Sequence, residues 1–212
     1  SRVKGVYSEI NSLLAGSDDA ELKEKYADVS GQLPIIKELA DILYKNKKNR
    51  GCPELETSES KLIINDEDIC VGVERRTRGR SEEIIEDFML VANECAARFG
   101  MDNNLPFVYR IHEEPSDEKL ESLREALVKL NVQYKLGEKA CPGDMSEILK
   151  AAKGTDIDLI MNNIVLRSMS KARYSTEPVG HFGLALEDYA HFTSPIRRYP
   201  DLTIHRIMSA FL

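Results

Sequence analysis

The segment AHFTSPIRRYPDLTIHR, residues 190–206, gathers side chains suited to binding phosphate in a chain whose formal net charge is -7. Arg197 and Arg198 follow Ser194 and a proline, and a further arginine and histidines lie in the same segment. A planar guanidinium can hold two phosphate oxygens at once and can stabilise negative charge that develops in a transition state. The segment therefore predicts a site that holds a phosphodiester.

The spacing within this segment predicts how the groups are arranged. Ser194, followed by a proline, predicts a helix start, where free backbone N–H groups favour phosphate and Arg197 would lie in the first turn. The second proline, Pro200, would break, kink or restart this helix. If the helix continues, Arg197, Asp201 and His205 share one face, and Asp201 could hold either the arginine or the histidine ring. The alternative is a surface ion pair of Arg197 and Asp201, worth less than about 1 kcal/mol.

Length and composition are typical of a globular protein. The chain has 212 residues, of which 42% are hydrophobic and 31% are charged, as is usual for that class. It has no apolar run of the ~18 residues that a membrane-spanning helix needs, and no secretory signal is visible within it. Its acidic balance argues against nonspecific binding of nucleic acid by the whole surface, so a polyanion would have to meet a local basic lining.

The termini and the cysteines indicate the context of the chain. It begins without Met and ends within a helical pattern, so we expect a piece of a longer protein. Its 4 cysteines have no CxxC spacing, and we expect reduced cytosolic thiols, with a zinc site as the alternative. We therefore predict a cytoplasmic protein.

Most of the candidate site residues must be positioned by helices. Apolar residues at three- and four-residue steps predict helices, and Pro34 should start or kink one of them. The predicted helices cover residues 7–14, 19–50, 80–99, 116–130, 144–152 and 156–172. Shorter apolar runs predict strands, namely a hairpin of 61–65 and 68–74 and a buried strand over 106–112. The predicted fold class is mixed α/β (α+β) and helix-rich.

The helix over 80–99 has the clearest pattern. Ser81 is a suitable N-cap, Gly100 is expected to end the helix, and Glu86 and Asn93 stand on one face. The predicted apolar stripe consists of Ile85, Phe88, Met89, Ala92, Cys95, Ala96 and Phe99.

The segment HFTSPIRRYPDLTIHR resembles the C-terminal signature of the ribonuclease II/R (RNB) family of 3′→5′ exoribonucleases. GHFGLALEDYA (180–190), IIEDFMLVAN (84–93) and YRIHEEPS (109–116) also match, in the order of the family. Within the family, AHFTSPIRRYPDL is most similar to the bacterial ribonuclease R branch. The resemblance implies that residues 1–212 are the C-terminal part of an RNB-type catalytic domain, truncated at both ends.

The resemblance also assigns roles within the arginine-rich segment. The arginine after Ser-Pro-Ile is a catalytic group in the family and contacts the scissile phosphate, which here is Arg197. Arg198 either positions the substrate phosphate or is structural. His191 is assigned to substrate binding, with a structural ring as the alternative.

Two further substrate-binding residues follow from the resemblance. Glu86 corresponds to the family's carboxylate that contacts the ribose of the terminal nucleotide, and a carboxylate can accept a hydrogen bond from a 2′-OH, one way to distinguish RNA from DNA. Its alternative is a solvated charge on the helix. Tyr7 corresponds to a tyrosine near the 3′ end of the substrate, and its alternative is the edge of the core.

The resemblance is incomplete in two respects. After Arg50 and Gly51 the family usually has a phenylalanine that stacks on bases, and here Leu55 takes that position. The family reaction also uses Mg²⁺, bound by an aspartate cluster of the form DxxxxxDxDD. The nearest run here is DIDL at 156–159, within a helical segment. We therefore expect the cluster to lie before Ser1, outside this chain. We expect the cold-shock and S1 domains, which flank the catalytic domain in the family, to lie outside this chain too.

These observations predict part of a processive 3′→5′ exoribonuclease that hydrolyses RNA to nucleoside 5′-monophosphates with Mg²⁺. Its predicted partner is the 3′ end of single-stranded RNA, its predicted state is a monomer, and the isolated fragment is expected to be inactive. One alternative is a non-catalytic RNA-binding module. The other is an interaction scaffold in which the helices matter and the basic residues are incidental.

Overall fold

The computed structural model describes residues 2–55, 59–76 and 78–212. They form two compact units: the first unit comprises Ser1–Leu43 and Glu56–Phe88, and the second comprises Tyr44–Leu55 and Met89–Leu212. Within the described residues, none of the helices combines the length and apolar character needed to cross a membrane. The fold is mixed α/β and rich in helix, as predicted.

The first unit contains short helices and a β-hairpin. Its elements are α1 (Tyr7–Leu14), α2 (Ala20–Lys25), α3 (Ala27–Ser30), the start of α4 (Leu33–Asn49), β1 (Glu59–Ile64), β2 (Cys70–Arg76) and the start of α5 (Arg80–Asp102). The helix predicted over 19–50 is thus three helices. It is interrupted at Tyr26, which is fully buried and whose hydroxyl accepts a hydrogen bond from the Val6 N–H at 3.1 Å. Pro34 lies in the first turn of α4, where its missing N–H costs nothing.

The predicted hairpin is confirmed. Strands β1 and β2 pair antiparallel, with Leu62 opposite Val73. Asn65 stabilises the connection, because its side-chain oxygen accepts the N–H groups of Glu67 and Ile69 at 3.1 and 2.9 Å. This is the local bonding that makes asparagine a turn residue.

Helix α5 confirms the clearest predicted helix, but three details of the prediction are wrong. Gly100 does not end the helix, which continues to Asp102. Ser81 lies inside the helix and not at its cap. The buried face is also rotated from the predicted stripe, because Ile85 and Met89 are exposed whereas Ile84 is buried. The prediction failed here because polar residues, including Asn93, share the buried face.

Gly100 is needed for packing. A Cβ at this position would lie 2.7 Å from Cε2 of the Phe107 ring, which is itself buried. Gly100→Ala is therefore expected to lower the free energy of unfolding by about 1–3 kcal/mol through overpacking. This loss exceeds the gain in helix propensity of up to about 1 kcal/mol. Urea unfolding followed by circular dichroism measures it.

Gly31→Ala is the matched control for this substitution. Gly31 has right-handed helical dihedral angles, and a Cβ there would have no atom within 4 Å. This variant should be at least as stable as the parent chain. Equal stability of Gly100→Ala and Gly31→Ala would contradict the packing role of Gly100.

The second unit has two hydrophobic clusters. The larger cluster is formed mainly by α6 (Asp117–Lys129), α7 (Pro142–Ala152) and α8 (Asp158–Ser168). The smaller cluster joins α5, the two-stranded antiparallel sheet of β3 (Tyr109–Ile111) and β4 (Arg173–Ser175), and α9 (Tyr199–Phe211). Its buried members are Ala97, Phe107, Tyr109, Ile111, Ala190 and Ile204. This second cluster carries the arginine-rich segment.

Candidate active site

The arginine-rich segment is a turn followed by helix α9, and not one continuous helix. The predicted helix start at Ser194 is wrong, because α9 begins at Tyr199 with Arg198 in an extended conformation as its N-cap. Pro200 lies in the first turn, so the alternative in which this proline restarts the helix is the one observed. A proline cannot donate the hydrogen bond that a helix continuing from Ser194 would require, which explains the restart.

Asp201 binds Arg198 and not Arg197. Its carboxylate is 0% exposed, and Oδ1 accepts the Ser194 N–H at 2.7 Å and the Arg198 guanidinium at 2.9 Å. The predicted alternatives in which Asp201 pairs with Arg197 or with His205 are therefore not observed. The geometry favours the structural alternative for Arg198, and contact of the same side chain with substrate stays a prediction.

Arg197 is exposed, and its guanidinium makes no hydrogen bond or ion pair with any part of the chain that the structure describes. Its backbone N–H donates to the Ser194 carbonyl at 3.3 Å. An arginine without a protein partner retains all its donors for a ligand, and a guanidinium matches the geometry of phosphate.

Asn93 on α5 ties the helix to the segment that precedes the turn. The side chain is buried, and its Oδ1 accepts the N–H groups of Phe192 and Thr193 at 2.9 and 3.1 Å. Its Nδ2 donates to the Tyr189 hydroxyl at 3.0 Å. The sequence predicted only the face on which Asn93 stands. No local signal could reveal partners so distant along the chain.

His205 holds the same segment from α9. Its ring stacks on Phe192, with centroids 4.1 Å apart and planes 7° apart. Its Nε2 lies 2.9 Å from the Phe192 carbonyl oxygen, and a nitrogen in that position must donate. His205 is therefore a structural residue of the second unit.

His191 lies beside the turn and is partly buried. Its Nδ1 is 2.8 Å from the Tyr174 hydroxyl. Burial, with a smaller contribution from the charge of Arg198, lowers the pKa of His191 to about 4. The ring is therefore neutral near pH 7. A Tyr174 hydroxyl that donates to Nδ1 leaves the ring proton on Nε2, which can then donate to a phosphate or ribose oxygen.

The other two histidines of the second unit form an edge-to-face row with Tyr189. The ring centroids of His112 and His181 are 5.0 Å apart, and those of His181 and Tyr189 are 5.2 Å apart. Nδ1 of His112 accepts the Gly183 N–H at 3.0 Å. These contacts favour structural roles for both rings.

Stability is expected to fall as the pH decreases from about 6.5 to about 4. Burial, followed by the nearby His112, lowers the pKa of His181 to about 3, and the pKa of His191 is about 4. Histidines in an unfolded chain titrate near 6.5. Across this window the unfolded chain binds more protons than the folded chain, so acid favours unfolding.

Urea unfolding at about pH 7 and about pH 5 measures this dependence. His181→Phe, which removes one titrating ring, should reduce the difference between the two conditions. Equal unfolding free energies of the unsubstituted chain at both values would contradict the burial of neutral histidines.

The first unit contains the other predicted site residues, Tyr7 and Glu86. Tyr7 begins α1 and is 49% exposed, which disfavours the core-edge alternative. Its backbone carbonyl accepts the Ser81 hydroxyl at 3.1 Å, so the start of α1 is bound to the start of α5. Glu86 is exposed on α5, and its carboxylate lies 3.2 Å from the Arg78 guanidinium. Substrate binding by Tyr7 and Glu86 stays a prediction.

Among the residues that the structure describes, there is no group of three or more His, Cys, Asp or Glu side chains able to hold a metal ion. In the DIDL run, the Asp158 carboxylate is engaged locally, since it accepts the Gly154 N–H and the Asn162 amide at 2.9 Å each.

Leu55 takes the position at which the family usually has a phenylalanine. Its side chain packs against the larger hydrophobic cluster.

Comparison with known proteins identifies the family. The profile described as the RNB domain matches residues 1–212. The chain belongs to the RNB family. Ribonuclease R 1 of Lactococcus lactis is 41% identical over 206 residues, which cover 95% of this chain and 25% of that protein. Ribonuclease R of Escherichia coli is 38% identical over 212 residues, which cover 100% of this chain and 26% of that protein.

The RNB fold is also supported by a solved structure. Mycoplasma genitalium RNase R in complex with ribose-methylated single-stranded RNA superposes with a TM-score of 0.86 at 30% identity. The superposition covers 97% of this chain and 32% of that one. The predicted resemblance to the family and to its ribonuclease R branch is therefore confirmed. This RNB chain spans about a quarter of the length of the curated relatives described above.

Proposed function

We propose that this chain is the C-terminal part of an RNB catalytic domain, in a longer protein that hydrolyses RNA from its 3′ end and releases nucleoside 5′-monophosphates. Family membership supports the reaction class. The observation that carries the proposal is the exposed, unpartnered Arg197 guanidinium in the described part of the chain, next to a neighbouring arginine that is held by a buried carboxylate. In this pair, Arg197 is the cation that we propose binds the ligand, and Arg198 is the cation that pairs with Asp201.

Each site residue has a role that its environment permits. Arg197 holds the oxygens of the scissile phosphate and stabilises the charge that develops on them. His191 donates from Nε2 to a substrate oxygen while its ring is neutral. Glu86 accepts the 2′-OH of the terminal ribose, and the exposed ring of Tyr7 lies along the 3′-terminal nucleotide. We propose Mg²⁺ as the metal, bound by aspartates outside this chain.

Hydrolysis of a labelled RNA tests the proposal. The longer protein, supplied with Mg²⁺ and an RNA with a single-stranded 3′ tail, is expected to release nucleoside 5′-monophosphates stepwise. This chain alone should release none, because the aspartates proposed to bind the metal lie outside it. Release by the chain alone would contradict the proposed division of the site.

The same assay distinguishes the proposed nuclease from the alternative, a non-catalytic RNA-binding module. Binding that weakens steeply with salt but is not followed by hydrolysis in the longer protein would favour that alternative, because phosphate contacts release counterions. Absence of both binding and hydrolysis would favour the interaction scaffold. The monomeric state and the cytoplasmic location stay predictions.

A further inference from the structure

We propose that Asp201 is a positioning residue for the reaction, acting on Arg197 through the turn of residues 194–198. This inference rests on the proposed function, in which Arg197 contacts the scissile phosphate. Asp201 itself is 0% exposed and therefore does not reach substrate. Asp201 instead fixes the conformation of the turn from which Arg197 contacts the phosphate.

The carboxylate of Asp201 closes the turn from the helix side. From the first turn of α9 it reaches back seven residues to the Ser194 N–H, at 2.7 Å. The Ser194 carbonyl in turn accepts the N–H groups of Arg197 and Arg198, at 3.3 and 3.0 Å. Both backbone groups of Ser194 are thus used to shape the loop that carries Arg197.

The charge of Asp201 engages one of the two neighbouring arginines and leaves the other available to bind phosphate. A buried carboxylate must be paired, because a single buried charge is strongly destabilising. Arg198, whose side chain is 26% exposed, supplies the pairing cation at 2.9 Å. Arg197 is then not needed to pair with Asp201, and its guanidinium has no partner among the described residues.

The residues around Asp201 and the turn are held by packing and hydrogen bonds. Three residues later, Ile204 is fully buried in the smaller hydrophobic cluster. The residues just before the turn are held by Asn93, which accepts the N–H groups of Phe192 and Thr193, and by His205, which stacks on Phe192. A side chain presented from such a support is preorganised, and misplacement by about 1 Å can lower a rate by about 10²-fold.

Asp201→Asn in the longer protein tests the inference. The asparagine keeps an oxygen for the Ser194 N–H but lacks the charge that holds Arg198. The expected result is a decrease in kcat of about 10–100-fold with little change in KM. The reason is that a displaced Arg197 loses a contact that it makes with the phosphate in the transition state. In an Arg197→Ala background the same substitution should cause no further decrease, because the group being positioned is already absent.

Two measurements separate positioning from a general structural role. Thermal unfolding establishes that each variant is folded, and if Asp201→Asn is not, Arg198→Lys takes its place in the same cycle. Glu121→Gln is the matched control, since Glu121 forms an exposed ion pair with an arginine three residues away, at 2.7 Å. Its kcat should equal that of the unsubstituted protein.

The outcomes distinguish the two proposals. Unchanged kcat in Asp201→Asn, or losses that multiply with those of Arg197→Ala, would overturn the positioning role while leaving the proposed function intact. A normal kcat in Arg197→Ala alone would instead overturn the proposed function.

Discussion

Arg197→Ala is expected to lower kcat of the longer protein by about 10²–10³-fold, the effect of removing one donor that stabilises a transition-state oxyanion. The fold should be unaffected, because the Arg197 side chain is exposed and has no partner within the described residues. The free energy of unfolding should stay within about 0.5 kcal/mol of the parent value, as for other surface substitutions. Steady-state kinetics and urea unfolding on the same preparation measure both quantities.

Arg197→Lys tests whether the planar guanidinium matters beyond its charge. Lysine keeps the positive charge but offers a point charge in place of a bidentate fork, so we expect an intermediate kcat. Arg98→Ala is the control, because Arg98 is also an exposed arginine and pairs with Glu94 on its own helix, at 3.3 Å. A loss of activity in Arg98→Ala equal to that in Arg197→Ala would contradict a specific role for Arg197.

Asn93→Ala is expected to have the largest effect on stability. It leaves the Tyr189 hydroxyl and the N–H groups of Phe192 and Thr193 without their partner. An unsatisfied buried group costs about 1–3 kcal/mol. The N–H groups of Phe192 and Thr193 are only partly buried and should cost less than that, so we expect a total loss of about 2–4 kcal/mol in unfolding free energy. Activity of the longer protein should fall too, because these groups support the turn that carries Arg197.

The matched control is Asn163→Ala. Asn163 is exposed in the middle of α8, and its amide donates to the Leu159 carbonyl one turn earlier, at 2.9 Å. Alanine has the higher helix propensity, so this variant should be at least as stable as the parent. Wild-type stability of Asn93→Ala would show that the bridge is unimportant.

Local signals predicted most of the elements. The amphipathic period located α1 and α5, and the two short apolar runs at 61–65 and 68–74 located the hairpin. The prediction failed where a non-local contact decides the conformation. Gly100 resembles a helix end in sequence, but it lies inside α5, and the Phe107 ring packs so close to it that a Cβ would not fit. The break at Tyr26 is likewise stabilised by a hydroxyl that bonds Val6, a distant backbone group.

The candidate site was predictable in composition but not in pairing. The residue types identified the arginine-rich segment, and the family resemblance singled out Arg197. Neither could determine whether Arg197 or Arg198 pairs with Asp201, because positions three and four apart are both neighbours on a helix. The turn before α9 decides in favour of Arg198. The bridge from Asn93 to Phe192 spans 99 positions along the chain, and such partners become visible only in the folded structure.

The most direct test of the central claim is a structure of the longer protein bound to an RNA whose 3′-terminal linkage resists hydrolysis. Our account predicts the Arg197 guanidinium within about 2.7–2.9 Å of an oxygen of the terminal phosphodiester, the usual length of a charge-assisted hydrogen bond. It also predicts that Arg198 still binds Asp201 in that complex. An RNA 3′ end bound away from Arg197, with this guanidinium left in solvent, would contradict the account.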